Sequence, residues 1–142
     1  MDSQKNQIKF HHISIVVKSN TIKDLLFTLF DELKESALPF NFESVDLTLL
    51  PLGGAYLELV HPHGHERMEK FLEERGEAIH HFCYEVMDLD YWLNRCEKIG
   101  FGIYHKDNRC FFIHPDSLGG ILLEFIRFVE DDPMKSSSLL QN

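Results

Sequence analysis

The 142-residue chain contains no apolar run long enough to cross a bilayer. Met1 to Lys9 is polar, without the apolar core of a secretory signal or the arginine-rich character of a transit peptide, so a cytoplasmic protein that does not enter a membrane is expected. Basic residues are scarce. Lys and Arg number 14 against 23 Asp and Glu, the formal charge is -9, and no Lys/Arg cluster is present. Phosphate backbones are held by such clusters, so no nucleic-acid partner is expected, and an anionic ligand must use a local patch. Cysteine is also sparse. Cys83, Cys96 and Cys110 form an odd set without CxxC spacing, which excludes a disulfide framework and a zinc-ribbon site and reads as reduced packing residues. Low-complexity sequence is confined to the ends, where 1–6 and 130–142 read as flexible tails around one domain at 7–129.

Within that domain the chain repeats itself. LGGAYLELV at 52–60 and LGGILLEFI at 118–126 agree at five of nine positions, and FHHISIVV at 10–17 and IHHFCYEV at 79–86 share a double histidine. The offsets, 69 from His12 to His81 and 66 from Leu52 to Leu118, point to an internal duplication. The segments between agree with it. Thr21 reads as a helix cap before Ile22, Leu25, Leu26, Leu29, Phe30 and Leu33 at helical spacing. Asp88 reads as the cap of a second helix carrying Leu89, Trp92, Leu93, Cys96 and Ile99, with Gly100 as its stop. Extended, β-branched and aromatic segments follow in both halves, with turns at Gly53-Gly54, Asp107-Asn108 and Gly119-Gly120. The expected class is therefore α+β: two βαβββ modules at about 7–62 and 77–129, joined by a helical connector at about 65–75. Each module is too small to bury its own sheet alone, so the pair is expected to form a cup-shaped sheet with helices outside.

Strand parity then sorts the polar residues. Ile13, Ile15 and Val17 form one apolar set and Phe82, Tyr84 and Val86 the other, which turns His12 and His81 toward the cup. Leu57 and Leu59, and likewise Leu123 and Phe125, pack on helices, which turns Glu58 and Glu124 the same way as the histidines. Two imidazoles and two carboxylates in one cleft require a compensating positive charge, and a divalent metal is the simplest. Mixed imidazole and carboxylate ligation suits Mn²⁺, Co²⁺, Ni²⁺ or Fe²⁺, with Zn²⁺ or Mg²⁺ as further candidates, and leaves positions for substrate. Taken alone, Glu58 in LELV reads equally as a solvated residue. His11 and His80 read as hydrogen-bonded, partly exposed residues, Cys83 as packing, Glu85 as solvated, and HPHGH at 61–65 as a loop.

With these residues in place the sequence resembles the vicinal oxygen chelate superfamily, and within it the methylmalonyl-CoA epimerases. LPLGGAYLELVHP at 50–62, FLEERGEAIHHFCYEV at 71–86 and FFIHPDSLGGILLEF at 111–125 look like that family's signatures. The resemblance implies a cobalt- or manganese-type ion held by His12, Glu58, His81 and Glu124. It also implies proton transfer at the carbon between a thioester and a carboxylate, with Glu124 as the general base. A homodimer acting on a small acyl thioester is expected. Glyoxalase I is similar in its His, Glu, His, Glu ligand order, so a glyoxalase-like isomerase or lyase is an alternative, as is a non-catalytic binding or resistance protein of the same fold. Two departures stand out. Family members place a second acid where this chain has Leu47, and YHKDNRCFFIHP at 104–115 is a short hairpin where they carry a longer Gly-rich loop.

Overall fold

The computed structural model describes residues 6–130, so most of both expected tails lie outside the described residues. The elements run β1 (Ile8–Val16), α1 (Thr21–Leu29), α2 (Leu33–Ser36), β2 (Leu38–Asn41), β3 (Val45–Leu52), β4 (Ala55–Pro62), α3 (Glu66–Arg75), β5 (Ala78–Val86), α4 (Leu89–Ile99), β6 (Ile103–Lys106), β7 (Cys110–Ile113) and β8 (Leu123–Arg127). A 3-10 turn at Pro115–Leu118 precedes β8. This mixed α+β order realises the βαβββ pattern twice, with α3 at the connector and α2 as an addition to the first half. Among the described residues no helix is long and apolar enough to cross a membrane. By contact the chain divides into two compact units, one His12–His80, the other His81 onward together with the residues up to His11.

In the first unit the strands lie in the order β2-β3-β4-β1, with β1 parallel to β4 and the other two pairings antiparallel. Its core sits between strands and helices. Ile15, Val17, Leu50, Leu57 and Leu59 pack against Ile22, Leu26 and Phe27 of α1 and Leu33 of α2, so the parity expected for the first strand holds. The helix itself is rolled from its expected seat: Leu25 and Leu29 are 62% and 71% exposed, and Phe27 is turned inward. Phe27, outside the expected stripe, takes part in this packing, while Leu25 and Leu29 stay outside it. Capping differs as well. The N-cap is Asn20, without a side-chain cap bond, and the Thr21 hydroxyl accepts from Ser19 Oγ at 3.0 Å instead.

The second unit repeats the arrangement in the order β5-β8-β7-β6, again with its first and last strands parallel. Val86, Phe111, Ile113 and Phe125 pack against Leu89, Trp92, Leu93 and Cys96 of α4. The Trp92 ring stacks on Phe125 at 5.9 Å, and Phe125 stacks on Phe111 at 4.9 Å. Both ends of α4 follow the sequence reading. The Tyr91 backbone N–H donates to Asp88 Oδ1 at 3.0 Å, and Gly100 ends the helix at φ +96°, where a side chain would be strained. Ile99, expected on the packed face, is exposed.

Leu50 is fully buried beneath α1, whereas Leu25 lies on its outer side. Leu50→Ala is expected to lower unfolding stability by about 2–5 kcal/mol, and Leu25→Ala by less than about 0.5 kcal/mol, both read from urea midpoints. Equal losses would show that the roll of α1 is wrong.

Candidate metal centre

In the first unit the parallel register sets Ser14 opposite Glu58 and Ile15 opposite Leu59. Since Ile15, Leu57 and Leu59 are taken by the helix side, Glu58, Ser14 and His12 look to the other face. All three are buried. His12 Nε2 stands 3.7 Å from Glu58 Oε1, beyond hydrogen-bond length. The Ser14 hydroxyl has no hydrogen-bond partner among the described residues. Glu58 is 1% exposed, which disposes of its reading as a solvated residue.

The second unit carries the same device. The β5 to β8 register sets Cys83 opposite Glu124, and His81 precedes Cys83 by two positions, as His12 precedes Ser14. His81 Nε2 lies 3.1 Å from Glu124 Oε1, and both side chains are buried. The His81 ring meets Phe112 edge to face at 5.7 Å, above an apolar bed of Cys83, Cys110, Phe112 and Ile126. Each unit thus holds one imidazole and one carboxylate side by side, out of water, on a strand pair whose opposite face is covered by a helix.

That donor chemistry fits a divalent cation. A buried carboxylate costs several kcal/mol unless a cation or donors compensate it, and imidazole nitrogen with carboxylate oxygen is the set that suits Mn, Co, Ni, Fe or Zn ions. Two adjacent ligand atoms each about 2.1 Å from one ion stand about 3 Å apart. The 3.1 Å between His81 and Glu124 matches that spacing, and the 3.7 Å between His12 and Glu58 exceeds it, so that pair must close slightly.

Other polar residues depart from their sequence reading. His11 is buried rather than partly exposed, with Nε2 4.0 Å from Glu85 Oε2, and Phe10 beside it packs edge to face on Tyr84. Glu85 is accordingly not solvated: burial pushes its carboxyl up, with Lys9 acting in the opposite sense. His80 lies edge-on to Phe71 of α3 at 4.9 Å and is partly buried, as expected. The HPHGH segment is only in part a loop. His61 belongs to β4 opposite Asp46, and His63 Nε2 approaches Asp46 Oδ1 at 3.3 Å. His65 is buried at the N-cap of α3, where burial and then Arg67 push its pKa down. A histidine that caps without a side-chain bond carries none of the Ser, Thr, Asp or Asn signal that marks helix starts, which is why the sequence did not reveal it. The three cysteines are buried, as read.

The strand expected to carry a second acid carries none on the Glu58 side. Leu49 stands opposite Glu58 and Leu47 opposite Val60, both fully buried. Asp46 turns the other way, and Glu43 lies outside β3 and is exposed.

Comparison with known proteins narrows the family. The model of the glyoxalase/bleomycin resistance protein/dioxygenase superfamily matches residues 11–111. Human mitochondrial methylmalonyl-CoA epimerase is 31% identical over 99 residues, a match that spans 62% of this chain and 55% of that protein. Among solved structures, hypothetical protein BH1468 from Bacillus halodurans C-125 superposes with a TM-score of 0.72 at 28% identity, covering 89% of this chain and 99% of that one. Streptomyces coelicolor methylmalonyl-CoA epimerase, in complex with 2-nitronate-propionyl-CoA, gives a TM-score of 0.67 at 21% identity over 86% and 95% of the two chains, a likeness of fold.

If the two histidine-carboxylate pairs hold a divalent ion, adding Co²⁺ or Mn²⁺ raises the thermal midpoint of the apo-protein. His12→Ala and His81→Ala are expected to abolish that rise. His11→Ala lowers the starting midpoint but retains the rise, and so does His80→Ala. A metal-dependent rise that survives both His12→Ala and His81→Ala would remove these residues from the ligand set.

Proposed function

Because the chain belongs to the glyoxalase/bleomycin resistance protein/dioxygenase superfamily, we propose that it is a metal-dependent epimerase or isomerase. Its substrate in this reading is a carboxyacyl thioester, with methylmalonyl-CoA the first candidate, and the group moved is the α-proton. The observation that carries the reading is the twin buried pair, His12 with Glu58 and His81 with Glu124. The human epimerase at 31% identity supports it, as does the acyl-CoA analogue held by the Streptomyces structure of like fold.

The proposed ligand set is His12, Glu58, His81 and Glu124, two residues from each half. When bound, a divalent ion facing the thioester oxygen supplies the Lewis acidity that stabilises negative charge developing there. The protein does the rest. Glu124 is the proposed base: its carboxylate is buried beside the His81 imidazole, so it meets the substrate proton without competition from bulk water. The apolar bed of Cys83, Cys110, Phe112 and Ile126 holds water off the same face. Leu47 offers no proton, so its return from the opposite side of the α-carbon falls to a group outside that strand face.

The same superfamily includes glyoxalases and resistance proteins, and the apolar Leu47 keeps a glyoxalase-like isomerase as a second reading. With Co²⁺ or Mn²⁺ present, methylmalonyl-CoA is expected to exchange its α-proton with D₂O, followed by NMR. Glu124→Gln should slow that exchange by about 10²–10⁴-fold. Absence of exchange in the metal-loaded protein, together with turnover of a glutathione hemithioacetal, would replace the epimerase reading with the glyoxalase one. Metal binding without either activity would leave a binding protein.

A further inference from the structure

The β6 to β7 hairpin gathers a second set of metal-ligating side chains, of which Cys110 also lines the apolar bed beside Glu124 while His105 and Asp107 have no part in the proposed reaction. His105, Asp107 and Cys110 each present one donor atom, a ring nitrogen, a carboxylate oxygen and a sulfur, and these three lie within 4.8 Å of one another. His105 Nε2 is 3.5 Å from Asp107 Oδ2. Ligand atoms around a tetrahedral zinc, at 2.0–2.3 Å from the ion, are about 3.3–3.8 Å apart, so this spacing is already that of the edge of such a site.

The local backbone is built to hold the arrangement. Asp107 Oδ1 accepts the backbone N–H of Arg109 at 2.7 Å and of Cys110 at 3.0 Å, which fixes the carboxylate plane and leaves Oδ2, buried and without a hydrogen-bond partner, facing His105. Burial acts to raise the Asp107 carboxyl, but those two N–H groups, then Arg109 and His105, bring it below its ordinary range, so it is a carboxylate. His105 is the one non-glycine among the described residues with positive φ, at +48°, and it sits at the register shift between Tyr104 and Lys106. A side chain held in that rarely adopted backbone region points to a function for its direction. Cys110 is fully buried, with burial, Glu124 and Asp107 all acting against a bare thiolate. The counter-force is Arg109, whose guanidinium stands 3.8 Å from Asp107 Oδ2, too far for a hydrogen bond but near enough to occupy the oxygen electrostatically.

We propose that His105, Asp107 and Cys110 form a second metal site, selective for a zinc-class cation, in which Arg109 holds the Asp107 charge until the ion displaces it. A set with one sulfur, one nitrogen and one oxygen favours Zn²⁺ or Cd²⁺ over the harder Mg²⁺ and Mn²⁺, and the fourth position is left to water or a small anion. The proposal is independent of the epimerase reading.

Cd²⁺ titrated into the full-length protein provides the test, because a cadmium-thiolate bond gives an ultraviolet charge-transfer band that ligation by nitrogen and oxygen alone does not. One saturable band is expected. It should vanish in Cys110→Ser and in His105→Gly, and persist in Cys83→Ser, Cys96→Ser and His81→Ala. Arg109→Gln should tighten the titration roughly fivefold, the effect of removing about 1 kcal/mol of competing charge near the surface. His105→Gly relieves the strained backbone while deleting the ligand, so it decides the matter even if Cys110→Ser does not fold. No band, a band that survives His105→Gly, or one that disappears with Cys83→Ser would overturn the site.

Discussion

A carboxylate withdrawn from water inside a β-sheet must be compensated by donors or by positive charge, and this chain meets that requirement at two places related by its own repetition. Glu58 and Glu124 sit on strands whose other face is occupied by leucine and phenylalanine packed on helices, so neither can turn out to solvent without unpacking the strand. The histidine beside each one is therefore part of what makes the strand tolerable. Burial of that kind is often replaceable by apolar packing at no loss of stability. Its presence in both halves is what the proposed cation site would require.

The arrangement follows from register. In each unit the first strand runs parallel to the last, and the histidine stands two positions before the residue facing the glutamate. Any slip by one residue would carry imidazole and carboxylate to the helix face and bring leucine into their place. The paired Gly53-Gly54, both at positive φ, turn β3 into β4 within two residues, and the antiparallel pairing from Leu52 opposite Ala55 holds that register along the strand. Local turn chemistry is thus coupled to the position of a distant functional group.

Much of this was legible because it obeys a short period. Alternation along β1, β4, β5 and β8 identified which side chains share a face and so set His12 apart from His11 and His81 from His80, and the duplication showed the same pattern in both halves. The legible features also included Asp88 and Gly100 at the ends of α4. What escaped was decided by tertiary packing. The roll of α1 toward Phe27, with Leu25 and Leu29 left outside, is set by contacts with the strands that helical spacing alone does not fix. The burial of His11 depends on Phe10 meeting Tyr84 and on Glu85 lying near, contacts between segments far apart in the chain. His65 is buried at a cap that has no capping bond. The cluster at His105, Asp107 and Cys110 was hidden for another reason: it arises from a bulge and a left-handed residue, and strand parity does not foresee either.

Parallel pairing has a further consequence, in time rather than in space. Hairpins zip from their turns, but β1 reaches β4 across 38 intervening residues, and β5 reaches β8 across 36. Closing such long loops is slow and gains no contact energy until the last strand docks. Each imidazole is brought beside its carboxylate only by this long-range pairing, and the hairpins alone do not bring the two together.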